Sequence, residues 1–387
     1  MKKFLFSLLA LTVLGLAAFF IFVPGIAAKK LNAVVAHEPY EASPGARELH
    51  GRLTIMDWHA DSLLWKRNLL ERDNKGHVDF PRLQEGNVAV QMFTTVTKSP
   101  AGLNIEKNSA GARDQITLLA FGQLWPMKTW QDLTERALYQ AAKLHKFETE
   151  APERVKIIRN RADLLDVLEK RSKGQMVTGA LIGAEGGHAL SGNLENLERL
   201  DAAGFRMIGL THFFDNKLGG SLHGISNQGL TDFGRDVVKA MEAKKIIVDL
   251  AHASPQMAAD VLAIATRPVV VSHTGIHGNC ETKRNFSDEL MKQIADKGGL
   301  IAIGFWEAAT CDTSPKGVAK TIVAAIKLLG EDHVALGSDY DGSIAVAFDV
   351  SELPSLTQAL MTAGLTETTI AKIMGGNSIE FLKSNLP

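Results

Sequence analysis

The stretch Leu53-Thr54-Ile55-Met56-Asp57-Trp58-His59-Ala60-Asp61 decides how the chain is read. It opens as an apolar β-type run over 53–57 and closes on metal- and proton-competent side chains. Seven more such runs follow, at 88–96, 179–184, 206–210, 246–250, 268–272, 300–305 and 334–338. Continuous apolar runs of this length suit strands buried on both faces, as in a parallel sheet. Helical patterns lie between most of them. Residues 231–244 set Phe233, Val237, Val238 and Met241 at helical spacing, and 287–297 opens on a serine cap followed by Asp and Glu. Eight strands alternating with helices predict an α/β fold, a (β/α)8 TIM-type barrel. An open doubly wound sheet would alternate similarly, but the Gly-x-Gly-x-x-Gly fingerprint of a dinucleotide fold is missing. Residues 97–177 separate the second and third runs and carry helical patterns at 114–124, 130–149 and 162–170. They predict a helical insertion between strands 2 and 3, laid over one barrel face.

A chain of 387 residues is long for one ordinary domain but not for a barrel. With 45% hydrophobic and 22% charged residues it has globular composition, which argues against disorder. The net charge of −1 and the lack of a Lys/Arg-rich block exclude nucleic acid as the expected partner.

The N-terminus stands apart. After Lys2 and Lys3, residues 4–23 form an uncharged stretch of 20 residues. At 1.5 Å per residue this spans a bilayer core and exceeds the apolar region of an ordinary cleavable signal. Pro24-Gly25 is expected to break the helix, and Ala27-Ala28 would suit a signal peptidase. We expect residues 1–28 to be an uncleaved membrane anchor, with a cleaved signal as the alternative. Either reading places the catalytic domain on the exoplasmic (periplasmic or extracellular) side, anchored or secreted. Residues 29–50 read as a linker, broken by Glu38-Pro39 and Ser43-Pro44-Gly45, and 51–387 as the barrel. Cys280 and Cys311 form no Cys-x-x-Cys pair, so a thiolate zinc site is not expected. In an exported protein they can form one disulfide or stay as two buried thiols.

The polar residues fall at the ends of the apolar runs. The first ends in Asp57, His59 and Asp61, the third in Glu185, the fourth in Thr211-His212, the fifth in His252, the sixth in Ser272-His273 and the eighth in Asp339. Active sites of this barrel type assemble at the C-terminal strand ends. A single histidine at a strand end is usually a hydrogen-bonded core residue. So many ionisable groups on one rim are costly to bury without partners, and a pair of divalent metal ions would supply them. Positions i and i+2 of a strand point the same way, so His59 and Asp61 can reach one ion. Three histidines and two carboxylates suit zinc or another borderline divalent ion. Glu185 is the candidate bridge between two ions, with a hydroxide held between them. Asp339 is the candidate proton shuttle and His212 the oxyanion partner. His188 is a candidate supporting residue for Glu185, whereas His37, His50, His77, His145, His223, His277 and His333 are read as structural. No Gly-x-Ser-x-Gly elbow exists, so a serine nucleophile is not expected.

These motifs resemble the membrane (renal) dipeptidases of the metal-dependent hydrolase superfamily. The resemblance rests on residues 57–61, Gly183-Ala184-Glu185-Gly186-Gly187-His188-Ala189-Leu190, and residues 210–212, 229–234, 248–254, 271–273, 283–285 and 337–342, and covers roughly 50–385. It implies a zinc-dependent dipeptidase with two Zn2+ per chain. One zinc would take His59, Asp61 and Glu185, and the other Glu185, His252 and His273. Asp339 would be the catalytic acid/base, His212 would face the scissile carbonyl, and Arg284 would bind the substrate's C-terminal carboxylate, as a guanidinium does bidentately. Dipeptides, some with a D-residue at the C-terminal position, are the implied substrates, and a homodimer the implied assembly. Some relatives pair two cysteines placed like Cys280 and Cys311, which favours the disulfide. The family usually carries Asn and Leu where this chain has Ala60 and Ser62, which bears on pocket shape and spares the ligands. Two alternatives stay open: a related barrel metallohydrolase acting on a cyclic amide, lactone or phosphoester, and an inactive anchored binding protein. The first is disfavoured by His-x-Asp in place of His-x-His, and by His212 where relatives carry a carboxylated lysine.

Overall fold

The computed structural model describes residues 2–387; Met1, the first residue of the expected anchor, lies outside them. The strands among them are β1 Ile55–Ala60, β2 Val88–Val96, β3 Val155–Ile157, β4 Thr178–Glu185, β5 Phe205–Gly209, β6 Ile247–Asp249, β7 Val270–Thr274, β8 Leu300–Ile303 and β9 Val334–Leu336. All pair in parallel. Neighbours run β2-β1-β9-β8-β7-β6-β5-β4, and β2 pairs with β4 from Val90↔Gly179 to Val96↔Glu185, which closes the ring. The eight expected strands therefore form a closed (β/α)8 barrel. Every residue of β1, β2 and β4 is buried, as continuous apolar runs require.

The ninth strand, β3, lies in the interval expected to be helical. Its three residues pair with 178–180 of β4, ahead of the point where β5 takes over at Ile182. The helical part of that interval divides in two. The helix Leu133–Glu150 buries Ala137, Ala141, Leu144 and Phe147 on its inner face, and Phe147 packs on Phe80. It is a wall helix of the barrel. The excursion over the rim is the segment before it, which includes the short helix Ile116–Gly122.

Two local expectations at the N-terminus are corrected. The first helix does not stop at Pro24-Gly25 but runs Lys2–Leu31. Proline costs a water-exposed helix about 3 kcal/mol. Docking holds the turns beyond it: Pro24 is buried, and Ala28 packs with Leu64, Trp65 and Ile116. Asn32 then caps Ala28 O with its Nδ2 and accepts Ser343 N–H at 2.9 Å. The expected linker also contains a helix, Pro44–Arg52. Ser43-Pro44 reads as a breaker, yet here Ser43 Oγ accepts Ala46 N–H at 3.2 Å and Pro44 opens the helix. His50 ties this helix to Thr357 Oγ1 at 2.8 Å. The expected serine cap holds, Ser287 starting Asp288–Asp296, and the helix expected from apolar spacing at 231–244 is Asp232–Ala243, capped by Thr231. Cys280 and Cys311 form a disulfide that fastens the loop after β7 to the chain after β8.

Candidate metal centre

The C-terminal ends of β1, β4, β5, β6, β7 and β9 converge. His59 belongs to β1 and Asp61 follows it, Glu185 ends β4, His212 and His252 follow β5 and β6, His273 sits in β7, and Asp339 follows β9. Each is nearly fully buried, at 8% exposure or less. Glu185 is the hub. Its Oε1 lies 3.4 Å from His59 Nε2, 3.3 Å from His252 Nε2 and 3.5 Å from His273 Nε2, and its Oε2 lies 3.3 Å from His212 Nε2. Asp61 Oδ1 and Asp339 Oδ1 stand 3.7 and 3.9 Å from His59 Nε2. The i, i+2 argument for His59 and Asp61 therefore holds in space.

Local backbone choices make this convergence possible. Gly186 takes φ +92°, and a Cβ there would lie 3.1 Å from His212 Cβ and 2.9 Å from His188 Nδ1. Only glycine lets the chain turn after Glu185 with His212 alongside. His252 and Asp339 are non-glycine residues at φ +64° and +61°. Such conformations cost on the order of 1–3 kcal/mol each and cluster at functional sites. Hydrogen bonds to His252 O from Leu222 N and Thr211 Oγ1, both at 2.8 Å, hold the first in place.

Residues that sequence reasoning left aside complete the centre. Ser272 Oγ donates to Asp249 Oδ2 at 2.6 Å and lies 3.2 Å from His59 Nδ1 and 2.9 Å from His273 Nδ1. A hydroxyl has one proton and two lone pairs. With the proton committed to Asp249, it accepts from both imidazoles, which fixes Nδ1–H on each and turns both Nε2 atoms toward Glu185. Asp249 is held in turn by the N–H groups of Ala251 and Ser272, both at 2.9 Å. Thr94 Oγ1 donates to Asp61 Oδ1 at 2.6 Å. His212 Nδ1 bonds Lys98 O at 3.0 Å, which leaves its Nε2 to the centre. His188 carries no hydrogen bond on either ring nitrogen and packs edge-on against Phe214, so it does not brace Glu185. His223, read as structural, stacks on Phe213 and meets His252 edge-on at 5.2 Å, lining the site with its Nε2 unpartnered. No sequence spacing links Ser272 to Asp249 or His223 to His252; only the fold does.

Burial and neighbouring charges set the protonation states of the metal-free centre. Burial, then Arg284 and His212, push His252 well below the ordinary histidine value. Burial and the charge of His59 do the same to His273. Both imidazoles are neutral. Burial alone would lower His59, but Asp61 and Glu185 outweigh it and hold the imidazole well above its usual value. Asp339 is raised well above the carboxylate range by burial, with Glu185 and Asp61 adding to it. Arg284 is 3% exposed, donates from Nη2 to His273 O at 2.7 Å and lies over the Trp306 ring at 5.3 Å. Burial lowers it to about 10, so it remains a cation at neutral pH.

The donor set fits divalent metal. His252 Nε2 and His273 Nε2 face each other at 2.9 Å, and buried His59 Nε2 has no hydrogen-bond partner. Three overlapping sets gather within 4.8 Å: His59–Asp61–Glu185, Glu185–His212–His252 and His59–His273–Asp339. Imidazole nitrogens and carboxylates crowded in this way call for a shared cation.

A family model described as membrane dipeptidase (peptidase family M19) matches residues 44–385. The chain belongs to the membrane dipeptidase family. It is 28% identical over 324 residues to dipeptidase tcpJ of Claviceps purpurea, covering 81% of this chain and 70% of that one. Dipeptidase aclJ of Aspergillus oryzae is 27% identical over 356 residues, at 86% and 78% coverage. A metallopeptidase from Rhodobacter sphaeroides, solved with a phosphinate mimic of the dipeptide L-Ala-D-Ala, superposes with a TM-score of 0.68 at 24% identity, covering 86% of this chain and 99% of that one. Family membership makes the chain a metallo-dipeptidase of the hydrolase class.

Proposed function

We propose that the protein is a dinuclear zinc dipeptidase, with one ion held by His59, Asp61 and Glu185 and the other by Glu185, His252 and His273. The observation that carries this reading is Glu185 Oε1 lying within 3.3–3.5 Å of three imidazole Nε2 atoms, from β1, β7 and the loop after β6. Ions at these positions would supply Lewis-acid polarisation of the scissile carbonyl and acidify a water to a nucleophile. The chain's own residues do the rest. Burial beside Glu185 and Asp61 raises the proton affinity of Asp339, and bound cations would offset those charges and favour its carboxylate, which would take the proton of the attacking water and return it to the leaving amine. His212, held by Nδ1–H on Lys98 O, acts as the imidazolium, whose Nε2–H would donate to the carbonyl oxygen as negative charge develops there. Arg284 pairs with the substrate's C-terminal carboxylate, which limits productive substrates to those whose free carboxylate lies one residue from the scissile bond. Dipeptides with a C-terminal D-residue belong to the proposed class, a reading supported by the dipeptide mimic in the Rhodobacter sphaeroides neighbour.

The helix Lys2–Leu31 is long and apolar enough to cross a membrane. We assign it as an anchor through residues 4–23, with the barrel on the exoplasmic side and assembled as a homodimer. The test of function is hydrolysis of a panel of L,L- and L,D-dipeptides by metal-free and zinc-loaded protein. Zinc-dependent release of free amino acids is expected. Faster turnover of a lactone or phosphotriester than of any dipeptide would overturn the assignment.

A further inference from the structure

The excursion over the rim carries an apolar surface that the barrel does not use. From Gln115 to Met127 the chain has no charged residue; Asp114, paired with Arg136, and Lys128 flank the segment. Its inward side chains Ile116, Ala120 and Trp125 are buried with Ala28, Trp65 and Val96. Its outward ones are Leu118, Phe121, Leu124 and Met127, which are 58, 41, 59 and 77% exposed. Leu124 takes φ +58°, a conformation that glycine adopts without strain, yet a leucine stands there with its side chain outside the protein. A contiguous apolar patch of this kind marks an interaction site.

The neighbouring element says what covers it. Phe20 of the N-terminal helix meets Phe121 edge-on at 5.3 Å, and the Phe19 ring lies 3.9 Å from where a side chain on Gly122 would begin. That helix has a window of mean hydropathy 2.6 with none of it buried in the protein. Phe20 stands only three residues before Val23, where the uncharged stretch ends, or about 4.5 Å along a helix axis. Interfacial elements bury their apolar faces about 5–10 Å into the headgroup–acyl boundary, so Phe121 sits at interfacial depth whenever residues 4–23 span the bilayer. Exposed Lys29, Lys30 and Arg113 lie where anionic headgroups would meet them.

We propose that residues 116–127 form a second, monotopic membrane contact beside the anchor, and that the two together hold the C-terminal rim of the barrel, with its active-site mouth, at the bilayer surface. The inference rests on the reading of residues 4–23 as a membrane span. The test uses the full chain reconstituted into phosphatidylcholine–phosphatidylglycerol vesicles. Single cysteines Leu124→Cys, Met127→Cys, Phe6→Cys and Leu165→Cys are labelled with a polarity-sensitive fluorophore; the native cysteines are paired and do not label. Leu165 is 41% exposed on the helix Arg161–Ser172, whose Arg171 bonds Val177 and Asn87 ahead of β4 and β2, at the opposite end of the barrel. Expected are blue-shifted emission at 124 and 127 with stronger quenching by headgroup-level than by chain-end nitroxide lipids, the same order at 6, which stands about 3 Å inside the far end of the span, and no quenching at 165. Quenching at 6 without any at 124 and 127 overturns the second contact and leaves the anchor standing. Quenching at 124 and 127 without any at 6 supports the contact and overturns the anchor. No quenching at any position overturns both.

Discussion

Ser272→Ala probes the support beneath the metal centre. The hydroxyl accepts from His59 Nδ1 and His273 Nδ1 and donates to Asp249. Alanine leaves two buried imidazole N–H groups without an acceptor, at about 1–3 kcal/mol each in the folded, metal-free protein. Asp249 keeps its two backbone donors, so the damage centres on the imidazoles. Once Nδ1–H is unsupported, the ring reorients or changes tautomer, and Nε2 no longer presents its lone pair to the proposed ion beside Glu185. Losing a partner that orients a metal-bound histidine costs about 10–100-fold in metal affinity, or about 1.4–2.8 kcal/mol. The assay is zinc competition with a chromophoric chelator on wild type, Ser272→Ala and Ser272→Thr, with urea denaturation of the metal-free forms alongside. Alanine is expected to weaken zinc by that factor and to lower stability, whereas threonine, which keeps the hydroxyl, restores most of both. Zinc binding by the alanine variant as tight as wild type would refute the reasoning.

Asp339→Asn keeps the shape but cannot accept a proton, and is expected to lower kcat about a hundred- to ten-thousand-fold with the zinc content unchanged; loss of zinc instead would make Asp339 a ligand. Arg284→Met should cost about 2–5 kcal/mol in kcat/KM for dipeptides but nothing for a C-terminally amidated dipeptide; equal losses on both would refute carboxylate recognition. His50 is lowered from 6.5 to about 4, chiefly by burial. Its folded value lies below its unfolded one, so the unfolded chain takes up the proton first as pH falls. The neutral-His50 contribution, roughly 2–3 kcal/mol, is whole above pH 6.5 and lost as pH drops toward 4. His50→Gln should flatten the pH dependence of urea stability across that window, and an unchanged slope would contradict it.

The barrel was legible because strand burial writes itself into continuous apolar runs, and because ionisable residues closing those runs must share one rim. His59, Asp61, Glu185, His212, His252, His273 and Asp339 converge as that logic requires. Arg284 was different: a loop residue with no run behind it, singled out only through family resemblance and then found buried beside His273 O. Three features escaped for physical reasons. β3 is three residues long, too short to show a period. Pro44 and Pro24 are the same residue type with opposite local meanings: Pro44 opens a helix behind a serine cap, and Pro24 is carried inside one because docking beyond it outweighs the lost hydrogen bond. Ser272, Asp249 and His223 depend on contacts between strands and loops far apart in sequence, which no spacing rule reaches.

The most direct test of the metal centre is anomalous scattering at the zinc edge from crystals of zinc-loaded protein. Two ions flanking Glu185 are expected, one also touching His59 and Asp61 and the other His252 and His273. A single ion, or two ions of which neither touches Glu185, would contradict the bridged dinuclear site.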